Sequence, residues 1–113
     1  MNRRTQNHLL LTETLPDFAS ELQQLLETQG EPELAAQVSG LRIFDLCGCG
    51  DDICSTFYTK PRPEGSFGPG LRNVRVIPPD GALLILDVVN EEIACVEVLD
   101  RPEMREKLVA AVP

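Results

Sequence analysis

Residues 82–99, ALLILDVVNEEIACVEVL, decide the fold of this chain. Ala82–Val89 is apolar except at Asp87, which is typical of a β-strand that is covered on both faces. Asn90–Glu92 supplies a polar turn, and Ile93–Leu99 then runs back as a second apolar stretch. The segment therefore predicts an antiparallel β-hairpin.

Three further strands are predicted before this hairpin. Residues 41–47 alternate between two sets of side chains, and residues 53–59 are rich in β-branched and aromatic types. The glycine-spaced residues 47–52 lie between them. An irregular connection rich in proline and glycine follows at 61–70, and residues 73–77 resume as a strand.

Helices are predicted at both ends of the chain. Thr14 and Asp17 have capping-box spacing, and Pro16 suits a first helical turn because its missing N–H group costs nothing there. Asp100 and Glu103 repeat the capping-box spacing before the last helix. Residues 32–40 form a second, shorter helical pattern between a proline and a glycine. The first helix has one apolar stripe, made by Leu15, Phe18, Leu22, Leu25 and Leu26.

Helices followed by a meander of strands indicate an α+β fold. We expect an N-terminal helical hairpin, a mostly antiparallel sheet of about five strands and a C-terminal helix, with a small roll or partial barrel as the alternative. Residues 1–12 are expected to form a flexible arm that Leu9–Leu11 anchor to the body. Residues 13–113 are expected to form one domain, since the 113-residue chain contains no linker that would divide it.

The charge of the chain excludes several classes of partner. Eighteen acidic and ten basic residues give a net charge of -8, which disfavours binding to nucleic acid or to an anionic membrane surface. The apolar Leu9–Leu11 is too short for a signal peptide, so we expect a cytoplasmic protein. Without a catalytic constellation, the charge favours a non-catalytic protein-interaction module, of an inhibitor or immunity type, with a basic partner.

Cys47, Cys49 and Cys54 are the candidate metal ligands, and zinc is the cofactor that they would bind. Glycines beside them would let the backbone wrap closely around a metal ion. The alternative is that Cys47 and Cys54 pack as small apolar residues. A tetrahedral site would need a fourth ligand, and the candidates are Cys95, His8, Asp51 and Asp52.

A thiol-dependent enzyme is the third hypothesis, and the residues argue against it. The chain contains no Cys-x-x-Cys dithiol, and Asp51 and Asp52 would raise the pKa of a neighbouring cysteine. We therefore assign no catalytic residue and expect a protein that is not an enzyme. Pairing of an edge strand across a two-fold axis would give a homodimer, which is also possible for a sheet of this kind.

Residues 81–100 resemble a hairpin in short bacterial domains whose function is not established. Those domains carry an apolar-Asp motif on one strand and an Ile/Val-Glu-Ile/Val-Leu motif on the next, which here are Leu86-Asp87 and Val96-Glu97-Val98-Leu99. The segment from Cys47 to Cys54 is similar to segments of other small bacterial proteins. The resemblance implies a compact β-rich core and transfers no catalytic residue.

Overall fold

The computed structural model describes residues 8–47, 54–61, 65 and 67–112. Its helices are α1 (Leu11–Thr14), α2 (Pro16–Thr28), α3 (Pro32–Gln37) and α4 (Pro102–Ala111), with a 3₁₀ turn at Val38–Gly40. Its strands are β1 (Leu9–Leu10), β2 (Arg42–Ile43), β3 (Asp45–Leu46), β4 (Phe57–Tyr58), β5 (Leu71–Val76), β6 (Leu83–Val89) and β7 (Glu92–Leu99). The fold is α+β, as predicted.

The main sheet has five strands in the order β3-β4-β7-β6-β5, and all of its pairings are antiparallel. A second, two-stranded sheet joins β1 to β2. The predicted strand at residues 41–47 is therefore divided, because β2 pairs with β1 whereas β3 pairs with β4. Alternation along the sequence indicated a strand there but carried no information about a change of partner.

The helices pack on one face of the main sheet, which we call the inner face. Phe18, Leu22 and Leu26 of α2 are buried in one cluster with Leu84 and Leu86 of β6. Leu108 of α4 and Phe57 of β4 belong to the same cluster. The predicted helical stripe is confirmed by this burial.

The start of each long helix differs from the capping-box prediction. The residues before α2 and α4 are Leu15 and Arg101, and neither donates or accepts a side-chain cap hydrogen bond. Pro16 and Pro102 occupy the first helical positions instead. Proline presets the helical φ angle and has no N–H group to satisfy, so each helix begins without a side-chain cap.

The described part of the N-terminal arm is attached to the body. Leu9–Leu10 forms β1, and the Leu11 side chain is fully buried in the core. The Leu11 amide also donates to the Leu41 carbonyl at 2.9 Å. Among the described residues, no helix is long and apolar enough to cross a membrane.

The β6–β7 hairpin turns at Asn90 and Glu91, which both have positive φ angles, of 51° and 65°. Two successive positive φ angles define a type I′ turn, whose twist matches that of the strands. Gln37 of α3 holds this hairpin, because its Nε2 donates to the Glu91 carbonyl at 2.7 Å and its Oε1 accepts from the Ile93 amide at 2.9 Å. The helical layer is thereby tied to the end of the hairpin.

A β-bulge interrupts the hairpin close to this turn. Val88 lies opposite Ile93, whereas Asp87 lies opposite Cys95, so Ala94 is an extra residue on β7. From Cys95 to Leu99, each side chain of β7 therefore lies on the face opposite to the one that regular alternation after Ile93 would give it.

Candidate functional site

Two of the three predicted metal ligands lie in the described part of the chain. Cys47 is half-buried directly after β3, and Cys54 is buried where it forms a β-bridge with Leu99. Both line a cavity of about 80 Å³ next to α4. Cys49, Asp51 and Asp52 lie outside the described residues.

The other two candidate fourth ligands have different surroundings. Cys95 is buried on β7, and burial, followed by the nearby Asp87 carboxylate, raises the pKa of its thiol. The His8 ring stacks on Phe44 with ring centroids 4.0 Å apart. Within the described ranges, no group of three or more His, Cys, Asp or Glu side chains could hold a metal ion. Metal binding therefore stays a prediction.

The face of the sheet opposite the helices is the most distinctive surface in the structure, and we call it the outer face. It is formed by alternate side chains of β5, β6 and β7, together with Tyr58 of β4. The residues concerned are Leu71, Asn73 and Arg75; Leu83, Ile85, Asp87 and Val89; and Cys95, Glu97 and Leu99.

Exposure differs sharply between the two faces of β6. Leu84, Leu86 and Val88 are completely buried on the inner face, whereas Leu83 and Ile85 remain partly exposed on the outer face. The prediction that this strand is covered on both faces is therefore wrong. A strand with apolar residues on both sides leaves half of them open when helices pack on one side only.

Two carboxyl groups lie in the middle of the outer face. Asp87 is opposite Cys95, and Glu97 is opposite Ile85, so Asp87 and Glu97 are diagonal neighbours on adjacent strands. Asn73 of β5 donates from Nδ2 to Asp87 Oδ1 at 2.6 Å. Asp87 is only 9% exposed although it belongs to this face.

The two carboxyl groups interact strongly. Burial, and then the hydrogen bond and negative charge of Asp87, raise the pKa of Glu97 to about 7. Near neutral pH, Glu97 therefore holds a proton in a large fraction of molecules. Such a pair favours a cation beside it, because a neighbouring positive charge would stabilise the ionised form of Glu97.

A small apolar hollow of about 190 Å³ borders this face. It is lined by Phe67, Pro61, Val89 and Ala94, with the Lys60–Glu92 ion pair at its edge. The Phe67 ring lies 6.5 Å from the Tyr58 ring, measured between centroids. Aromatic and aliphatic side chains thus continue from the sheet onto this neighbouring segment.

Asp87 is recognisable in the sequence as the polar exception in its strand, but its proximity to Glu97 is not. The available signal was two acidic residues, each inside an apolar strand of one hairpin. Their proximity depends on the bulge at Ala94, which the sequence pattern does not reveal.

No family model, curated protein or solved structure matches this chain.

Proposed function

We propose that this chain is a non-catalytic protein-binding module that binds a basic protein through its outer face. The observation that carries this proposal is the partly exposed apolar surface of β6 and β7, with the Asp87–Glu97 pair at its centre. A contiguous apolar patch of this kind often marks an interaction site. A polar group within such a patch gives specificity because it must be paired when water is excluded.

Charge determines the kind of partner. A lysine or arginine side chain placed between Asp87 and Glu97 would replace the proton that Glu97 holds, so both carboxylates would be paired in the complex. The net charge of -8 would in addition speed the encounter with a basic protein. An inhibitor or immunity-type role follows if the bound partner needs the covered surface for its own activity.

Ile85 provides a sharp test because it is half-buried on the outer face and lies opposite Glu97. An Ile85→Lys variant would pair its ammonium group with Glu97 and repel a basic partner. The matched control is Val109→Lys, a residue that is 54% exposed on α4, the helix whose Leu108 packs in the core on the inner face. Circular dichroism spectra would first establish that both variants fold.

The experiment compares proteins captured and crosslinked by the wild-type chain and by the two variants. We expect one basic protein whose recovery falls about tenfold or more with Ile85→Lys and is unchanged with Val109→Lys. Recovery that is equal for all three chains would refute the role of the outer face. Sedimentation velocity distinguishes a further outcome, in which the face binds a second copy of this chain.

A zinc site is the second candidate, and one observation favours it. Cys47 and Cys54 line the same small cavity, although six residues separate them in the chain. With Cys49, they would supply three thiolates to one ion. Elemental analysis of protein purified without an affinity tag tests this, and a zinc content below about a tenth of an equivalent would exclude a resident metal.

A further inference from the structure

In the described part of the chain, the main sheet has one long open edge, which is formed by β5. This strand is the last in the sheet order and pairs with β6 over six residues without a bulge. The opposite edge is β3, which has only two residues. Proteins commonly protect an edge with a proline, a lysine, a bulge or a very short strand. Residues 71–76 contain no proline or lysine, so β5 lacks all four of these protections.

Alternate backbone groups of β5 point away from β6, toward the open edge. The Gly70 carbonyl accepts a hydrogen bond from the Asn90 amide at 3.2 Å, so the even-numbered residues of β5 bond to β6. The N–H and C=O groups at positions 71, 73 and 75 therefore face the edge. Gln29 of α2 donates from Nε2 to the Arg75 carbonyl at 2.7 Å, as this direction requires.

The middle of this edge carries unused hydrogen-bonding groups. The Asn73 amide and carbonyl and the Arg75 amide have no partner on the edge side among the described residues. The Arg75 carbonyl bonds to Gln29 but has a second lone pair. Such a row of groups is a template for one more antiparallel strand.

The side chains along the edge are exposed as well. Leu71 and Ile77 are 38% and 74% exposed, although both are large and apolar. Arg75 is exposed and forms no ion pair within the described ranges. Asn73 donates from Nδ2 to Asp87, and in the same ranges its Oδ1 accepts no hydrogen bond. The edge thus presents apolar side chains, a cation and an acceptor side by side.

We propose that β5 pairs antiparallel with β5 of a second copy of this chain, about a two-fold axis that passes beside Val74. Asn73 then lies opposite Arg75 of the second copy, and Leu71 lies opposite its Ile77. An axis at Arg75 would place two arginines opposite each other, which is unfavourable. An axis at Asn73 would leave Ile77 outside the ladder, because it would face residue 69.

Charge selects a second copy as the occupant. Arg75 of the second copy would donate to Asn73 Oδ1 and so approach Asp87, to which Asn73 is already bonded. The two-fold axis forms this contact twice. A strand of a basic protein would instead bring further positive charge beside Arg75. The dimer leaves Ile85 and Glu97 open, so this inference does not depend on the proposed function.

Sedimentation equilibrium of the full chain over about a hundredfold range of concentration tests the proposal. The salt concentration should be about 0.15 M, where repulsion between two chains of net charge -8 is largely screened. We expect a reversible monomer–dimer equilibrium with a Kd in the micromolar range, since one strand pair is a small interface. A monomer at every concentration up to about 1 mM would overturn the proposal.

Two substitutions of Arg75 separate the backbone contribution from the charge. Arg75→Pro removes an amide that faces the edge and leaves the ladder to β6 intact, so it should weaken dimerisation about tenfold or more. Arg75→Gln keeps the amide and should weaken it about two- to fivefold. Lys107→Gln, which removes a cation from an exposed position of α4, is the control and should leave it unchanged. Circular dichroism spectra would establish that all three variants fold.

A charge exchange tests the register. Leu71→Lys and Ile77→Glu should each weaken dimerisation about three- to tenfold, because each places a charge opposite an apolar side chain. Their combination should recover most of the loss, since the lysine then faces the glutamate of the second copy. The two positions are about 20 Å apart along one strand, so they cannot pair within a chain. Additive losses in the double variant would contradict this register.

The Ile85→Lys variant distinguishes the edge from the outer face. It should dimerise as the wild type does, because Ile85 lies on β6 and contributes no group to the open edge. Dimerisation that is lost in Ile85→Lys and kept in Arg75→Pro would place the second copy on the outer face and overturn the pairing of β5.

Discussion

Glu97 should make the protein less stable as the pH rises through neutrality. Its pKa is about 7 in the folded chain and 4.5 as an ordinary glutamate, so the folded state binds more protons between these values. The free energy of unfolding then falls with increasing pH in this interval. Taken in full, the difference corresponds to about 3 kcal/mol, and solvent screening at this partly exposed position reduces it to about 1–2 kcal/mol.

Urea denaturation followed by circular dichroism at pH 5, 6, 7 and 8 measures this effect. The wild-type chain should lose about 1–2 kcal/mol more between pH 5 and pH 8 than the Glu97→Gln variant, and the variant should be the more stable of the two at pH 8. Glu27→Gln, an exposed change on α2, is the matched control and should follow the wild type. The lowered pKa values of Asp80 and Glu91 affect stability only at more acidic pH, outside this window. Parallel stability curves for the wild type and Glu97→Gln would refute the raised pKa of Glu97 in the folded chain.

Three other predictions concern stability and reactivity. Gly70→Ala should change the free energy of unfolding by less than about 1 kcal/mol, because an added Cβ would contact only the exposed Asn90 side chain, 3.0 Å from Cγ and closer to Oδ1, and that side chain can rotate away; a double-mutant cycle with Asn90→Gly, measured in urea, should show a coupling no larger than this. Arg101→Met should cost about 2–3 kcal/mol in urea denaturation, since the side chain is 13% exposed and bonds two carboxylates, and a cost below about 1 kcal/mol would contradict its role as a link between helices. Cys95 should be alkylated by iodoacetamide at least about tenfold more slowly than the less buried Cys47, as peptide mapping would measure, because burial raises the pKa of its thiol.

Much of the fold follows from the sequence pattern. The stripe containing Phe18, Leu22 and Leu26 and the two apolar halves of the hairpin were sufficient to place a helix and a strand pair, since each buries a repeating set of side chains. The helix starts were placed less well, because Pro16 removes the need for the side-chain cap that Thr14 suggested. The change of strand partner near Phe44 is a tertiary choice that local alternation does not encode.

The candidate site was harder to predict than the fold. An acidic pair on a sheet face can be recognised only when the register of the two strands is known. Asp87 and Glu97 are ten residues apart in the chain, and their sequence positions alone do not show that they are neighbours. Cys47 and Cys54 could be predicted as metal ligands because cysteine ligands recur at recognisable spacings in a sequence, whereas isolated acidic residues in strands have no comparable motif. The ion pairs of Arg101 with Glu21 and Asp80 likewise join segments that are far apart in the sequence.

The bulge at Ala94 determines which side chains of β7 meet a partner and which meet the helices. If Ala94 paired regularly with Asp87 instead of forming the bulge, Glu97 would lie opposite Leu84 rather than Ile85, and its carboxyl group would point into the hydrocarbon interior. Val96 and Val98 would then turn toward water. Deleting Ala94 should therefore leave Glu97 opposite Ile85 in an uninterrupted hairpin, whereas inserting one residue after Cys95 would exchange the interior and exterior side chains of the rest of β7 unless a second bulge absorbed it.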